Sequence, residues 1–127
     1  MASGDNIILL KGLETGGQVV LVIQFSRNSM GYQLRARSYD GGTAGYVNTT
    51  YIPVTDAPHA VEVDWGSDGH LTFWIDGTQQ ANLTGINNSM YRMDGIRLGA
   101  PSMTVTGTSG SFYIDNFEAR RQTYIGP

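Results

Sequence analysis

Apolar and polar residues alternate in short runs along most of this chain, and Gly, Asp, Asn or Ser bounds each run. Val61, Val63 and Trp65 alternate with Glu62 and Asp64, and Leu71, Phe73 and Ile75 alternate with Thr72 and Trp74. A period of two is that of a strand with one buried face. Strands are predicted near Ile7–Lys11, Gln18–Ser26, Gly31–Tyr39, Tyr46–Ile52, Ala60–Trp65, His70–Ile75, Gln79–Leu83, Gly95–Leu98 and Ser111–Arg121. The intervening Thr15-Gly16-Gly17, Arg27-Asn28-Ser29 and Asp40-Gly41-Gly42 carry turn chemistry. Asp68-Gly69 and Asp76-Gly77 are the clearest hairpin signals. One short helical turn is expected within Gly85–Met93. The pattern predicts a single all-β domain over residues 1–127, an antiparallel sandwich of two packed sheets.

Alternation also assigns faces. Val61, Val63, Leu71, Phe73, Ile75, Ile96, Leu98, Phe112 and Ile114 are the expected core. Tyr32, Leu34 and Ala36 should face inward with them. Arg35, Arg37 and Tyr39 then point outward, as do Glu62, Asp64, Thr72 and Trp74. The expectation is that these seven share one sheet surface, with an arginine in ion-pair reach of a carboxylate. Gln18–Phe25 differs, because its Val-Val-Leu-Val-Ile run is apolar on both faces, as in a strand covered on two sides.

The charge and cysteine content narrow the function classes. A net charge of −3 disfavours a nucleic-acid partner held through phosphates. No apolar run approaches the roughly 20 residues of a membrane-spanning helix, so no membrane insertion is expected. The absence of cysteine removes disulfides, thiolate catalysis and cysteine-ligated metals. The opening Met1-Ala-Ser-Gly-Asp is polar and lacks the form of a signal peptide.

Four segments carry a family resemblance: HAVEVDW from His59, GHLTFWIDG from Gly69, DGIRLGA from Asp94 and SGSFYIDNFEARR from Ser109. Their order resembles the C-terminal half of the concanavalin A-like (laminin G-like) β-sandwich family. In that family a histidine opens a strand that ends in tryptophan. A DG turn follows the next strand, and an LGA strand leads into DNF…R. The resemblance covers about half the chain, and residues 18–58 only loosely. It implies a jelly-roll sandwich, a fold that hosts lectins, glycosidases and adhesive modules alike. It also implies a structural role for His59. Members carry several further strands before the region matching Gln18, whereas seventeen residues precede it here. The sandwich is therefore expected to lack leading strands and to leave an edge that invites another chain, with Ile7–Lys11 or Gln18–Phe25 at or near the contact.

Candidate chemistry follows from the same faces. Glu62 and Asp64 sit at i and i+2 of one strand, roughly 6–7 Å apart, near the spacing of a glycosidase pair. Some enzymes of the fold add a third acidic residue further along, but Gly66 and Ser67 stand there. The simpler reading, a wet strand face, is preferred. Trp74 and Tyr39 could stack on a sugar ring, against the commoner reading of a covered packing tryptophan. Calcium at the rim, from Asp68, Asp76, Asp94 and Asp115, is weighed against their ordinary use as turn formers, which is preferred. Asn48, Asn82 and Asn87 head glycosylation sequons of a kind common by chance.

The expected function is a non-catalytic recognition or adhesion module, lectin-like, with carbohydrate as ligand by family analogy. Its expected ligand-binding residues are Arg35, Arg37, Tyr39, Glu62, Asp64 and Trp74, with no catalytic or metal-binding residue and no required cofactor. An extracellular or cell-surface location goes with that reading. The alternative is a structural subunit that binds other protein chains through an exposed face or edge, as a homo-oligomer or within a larger assembly. A glycosidase-like enzyme ranks third.

Overall fold

The computed structural model describes residues 6–104 and Glu118, with side chains through Gly99. The chain forms β1 (Asn6–Leu13), β2 (Val19–Asn28), β3 (Gly31–Asp40), β4 (Gly45–Asn48), β5 (Ile52–Val54), β6 (Val61–Gly66), β7 (His70–Ile75), β8 (Thr78–Leu83) and β9 (Gly95–Thr104). Among the described residues there is no helix. The predicted strand Ser111–Arg121, with Phe112 and Ile114, lies outside the described residues, as does Asp115.

Two antiparallel sheets result. The larger runs β4-β3-β2-β1-β9, with β5 also paired to β3, and the smaller runs β6-β7-β8. Their facing sides make one core, as in a β-sandwich. Leu21, Ile23, Leu34 and Ala36 of the large sheet meet Leu71, Phe73 and Ile75 of the small one, with Ile86 from the loop after β8. Phe73, Leu71 and Ala36 are fully buried, so the face assigned to β7 is the observed one. Val63 is half-buried. Val61, Ile96 and Leu98 are 40%, 37% and 39% exposed, a correction to the expected core. Among the described residues β6 and β9 are the end strands of their sheets, paired on one side only.

β2 is buried on both faces, as its sequence requires. Leu21 and Ile23 face the core, and Val20 and Val22, on the opposite side, are only 1% and 3% exposed. Its neighbours are β1 and β3, and β1 is itself flanked by β9. Neither Ile7–Lys11 nor Gln18–Phe25 is therefore a free edge. Leu9 is the extra residue of a bulge in the pairing of β1 with both neighbours, which re-phases the alternation so that Ile8 and Lys11 both point outward.

Two local departures shape the surface. The single strand expected over Tyr46–Ile52 is interrupted. Buried Thr49 bonds β3 twice, its N–H donating to Ala36 O at 2.9 Å and its Oγ1 accepting from Ala36 N at 3.1 Å. That side-chain bond replaces regular pairing and separates β4 from β5. The Gly85–Met93 segment makes one hydrogen-bonded turn, Tyr91 N donating to Asn88 O at 3.0 Å, but no helix, and much of its other backbone bonds distant loops. Asn87 O accepts from Gly41 N, Ile86 N donates to Gly69 O, and Asp94 N donates to Leu13 O. Gly69 is required at this crossing. Its φ is +95°, and a Cβ there would lie 2.7 Å from Ile86 O.

Candidate functional site

The most organised polar surface is the outward face of the large sheet, turned away from the small one. β3 supplies Arg35 and Arg37 to it by simple alternation, because Leu34, Ala36 and Ser38 are inward and buried. Register brings Gln24 opposite Arg35, Asn48 opposite Arg37 and Tyr46 opposite Tyr39. The break after β4 delivers Tyr51 to the same face.

Two parallel constellations form. Arg35 donates through Nε to Gln24 Oε1 at 2.8 Å, and its guanidinium lies over the Tyr51 ring at 4.4 Å. Tyr51 OH bridges Asn6 Oδ1 and Gln24 Oε1 at 3.1 and 3.2 Å. One strand-step along, Arg37 Nε donates to Asn48 Oδ1 at 2.7 Å, and its guanidinium lies 4.7 Å from the Tyr46 ring centre. Tyr46 OH donates to Val19 O at 3.1 Å, crossing β3 to do so. Tyr39 completes an aromatic corner, packing edge-on against both Tyr46 and Tyr91.

The electrostatics are unusual for a sheet surface. Among the described residues neither Arg35 nor Arg37 meets a carboxylate. Burial, then the neighbouring Arg35 charge, holds Arg37 below the ordinary arginine range. Burial raises the Tyr46 hydroxyl, with Arg37 opposing it. Each guanidinium is fixed through Nε and its ring contact, while its Nη groups make no bond to the described residues. A planar donor fork held this way is suited to a ligand that accepts hydrogen bonds or carries negative charge.

The other expected site residues lie elsewhere. Glu62, Asp64 and Trp74 point outward from the small sheet, with Glu62 opposite Trp74 and Asp64 opposite Thr72. The expected pairing of Arg35 or Arg37 with Glu62 or Asp64 is thus corrected, because the arginines and carboxylates occupy opposite outer surfaces of the sandwich. Alternation shows which way a side chain points but not which sheet holds its strand. Asp64 meets His70 Nε2 at 3.2 Å, and Asp68 bonds His70 Nδ1. Burial works to lower the His70 pKa, but the bonds to Asp68 and Asp64 outweigh it and raise it. His59 is a structural clip: Nδ1 meets Asp76 Oδ2 at 2.7 Å and Nε2 meets Thr55 O at 3.0 Å.

The aspartates weighed for calcium do not assemble. Asp68 holds His70, Asp76 holds His59 and the Ala60 N–H, and Asp94 accepts from Thr15 N and Oγ1. Among the described residues no three His, Cys, Asp or Glu side chains group as a metal site.

Gln24, Tyr46, Asn48 and Tyr51 were not singled out as site residues in the sequence. Gln24 carried a signal, being the one polar residue inside the apolar run from Val19 to Phe25. Tyr46 and Asn48 share the period of their strand, but their register opposite Tyr39 and Arg37 is a tertiary fact. Tyr51 had no signal, since its position depends on the break at Thr49. No protein-family model, curated protein or solved structure matches this chain.

Proposed function

We propose that this protein is a non-catalytic carbohydrate-recognition module whose ligand lies on the outward face of the large sheet. One observation carries the reading: Arg35 and Arg37 stand side by side, each braced by an amide and a tyrosine, with their Nη donors unspent on the described residues. Saccharides are dense in hydroxyl acceptors, and fixed planar donors and amides are the groups that read them. The resemblance to concanavalin A-like sandwiches supports the same ligand class, a jelly-roll connectivity and an extracellular or cell-surface setting.

Native affinity electrophoresis against a panel of neutral and acidic polysaccharides tests the reading. Retention of the wild type by at least one of them is expected. It should be lost in Arg37→Ala and kept in Trp74→Ala, because Trp74 belongs to the opposite surface. Loss in Trp74→Ala alone would move the site to the small sheet.

A second reading, an assembly subunit, is favoured by Ile96 and Leu98, more than a third exposed on the core-facing side of β9. A partner chain laid beside β9 would cover them. Sedimentation equilibrium of the wild type and Leu98→Glu separates the readings. An oligomer dissociated by the charge supports assembly, and a monomer in both removes it.

A further inference from the structure

The register of the large sheet aligns more than the two arginines. Lys11 stands opposite Arg97 on β9 and opposite Val22 on β2, and Val22 stands opposite Arg37 on β3, which pairs with Asn48. One row across the strands therefore reads Arg97, Lys11, Val22, Arg37, Asn48. With strands about 4.8 Å apart, Arg97 and Arg37 are about 14 Å apart at the backbone, with Lys11 between them. Arg35 lies beside this row, one outward position along β3.

The face is cationic in a chain whose net charge is −3. Four of its eight Lys and Arg residues stand here. No Asp or Glu occupies an outward position of β1, β2 or β3 beside them. None of the four has a carboxylate partner among the described residues. Like charges gathered without counter-charges repel one another, so the arrangement costs stability unless an anion joins it. The acidic chain as a whole repels polyanions, so attraction must come from this row. The Tyr46 and Tyr51 rings are each covered by a guanidinium. They do not offer the stacking platforms that single-stranded nucleic acid uses.

We infer that the ligand of this face is an acidic polysaccharide, held through its carboxylate or sulfate groups by the row Arg97, Lys11 and Arg37 with Arg35 beside it. The inference rests on the sheet-face reading above and adds the charge of the ligand and the direction of its chain, across the strands. Arg35 and Arg37 present oriented forks for bidentate contact, and Lys11 and Arg97 extend the track by charge.

The test uses matched pairs: polygalacturonate against its methyl ester, and dextran sulfate against dextran. Binding of the full chain is followed by affinity electrophoresis and calorimetry at low and high salt. The acidic member of at least one pair should bind in a salt-sensitive way, and its uncharged counterpart should not. The polygalacturonate and dextran sulfate arms distinguish carboxylate from sulfate. Arg97→Gln with Lys11→Gln should weaken binding by about tenfold. Arg97 is exposed and Lys11 half-exposed, and neither holds Arg35 or Arg37 in place, so this variant tests the site without disturbing the braced arginines. Equal binding of charged and uncharged members would overturn the inference and leave carbohydrate recognition standing. Binding of no polysaccharide would overturn both. Acid binding unchanged in the variant, or equalled by single-stranded DNA, would also overturn it.

Discussion

Trp65 donates its indole N–H to Ser38 Oγ at 3.0 Å, joining β6 of the small sheet to β3 of the large one through the interior. Ser38 is fully buried. A buried indole N–H left without an acceptor costs more than a typical hydrogen bond is worth. Ser38→Ala is therefore expected to destabilise the fold by about 1–3 kcal/mol. Urea denaturation measures it, and a loss well under the lower figure would mean that the bond does not hold the sheets together.

The core prediction is a contrast between strands. Phe73 is 0% exposed at the centre of β7, while Leu98 is 39% exposed on β9. Phe73→Ala should cost about 3–5 kcal/mol, from lost transfer energy and the cavity left behind. Leu98→Ala leaves no enclosed cavity and should cost well under half as much. Similar losses at both positions would show that β9 is covered as deeply as β7.

The His59–Asp76 contact predicts a pH window. The hydrogen bond to Asp76 raises the His59 pKa above its ordinary value, and the Thr55 bond assists. The same bond to His59 lowers the Asp76 pKa. The histidine contribution is complete below the unfolded value of about 6.5 and is lost as pH rises through the raised folded value. The aspartate contribution is complete above about 3.9 and is lost as pH falls through the lowered one. The difference in Tm between wild type and Asp76→Asn should therefore be greatest between about pH 4 and 6.5. Asparagine tolerates the positive φ of 53° at this turn position, so the backbone is kept. The His70–Asp68 contact is the same in both proteins and cancels in the difference. A Tm difference independent of pH from 3 to 9 would refute the ionic clip.

Much of the sheet was legible because the side-chain period is a local property. Strands β2, β3 and β7, the inward faces of β3 and β7 and the Asp76-Gly77 turn all follow from alternation and turn chemistry. The Asp76-Gly77 turn has the positive φ values, 53° and 78°, that Asp-Gly suits. What was not legible depends on distant contacts. Thr49 interrupts a strand because its hydroxyl finds Ala36, thirteen residues away. Arg35 and Glu62 point outward by the same rule, yet their strands belong to different sheets. Of the candidate site, Arg35, Arg37 and Tyr39 were visible. The Gln24, Tyr46, Asn48 and Tyr51 braces came only with register and the break before β5.

Catalysis by the small-sheet carboxylates is the remaining question for activity. Glu62 and Asp64 share one outward face, but Asp64 is engaged by His70 at 3.2 Å. His70 in turn bonds Asp68, which lowers the Asp68 pKa. The third acidic position two residues beyond Asp64 is Gly66, and a Cβ there would lie 2.4 Å from His70 Cε1. The imidazole therefore fills the space where a third carboxylate would stand. A glycosidase pair also needs both carboxyls free to face the substrate, and Asp64 is held by His70. No hydrolysis of β-glucans or uronans above background is expected from the wild type. Glu62→Gln and Asp64→Asn should leave polysaccharide retention unchanged, since the proposed ligand lies on the other surface. Reducing-sugar release that is clear in the wild type and abolished in Asp64→Asn would make this protein an enzyme.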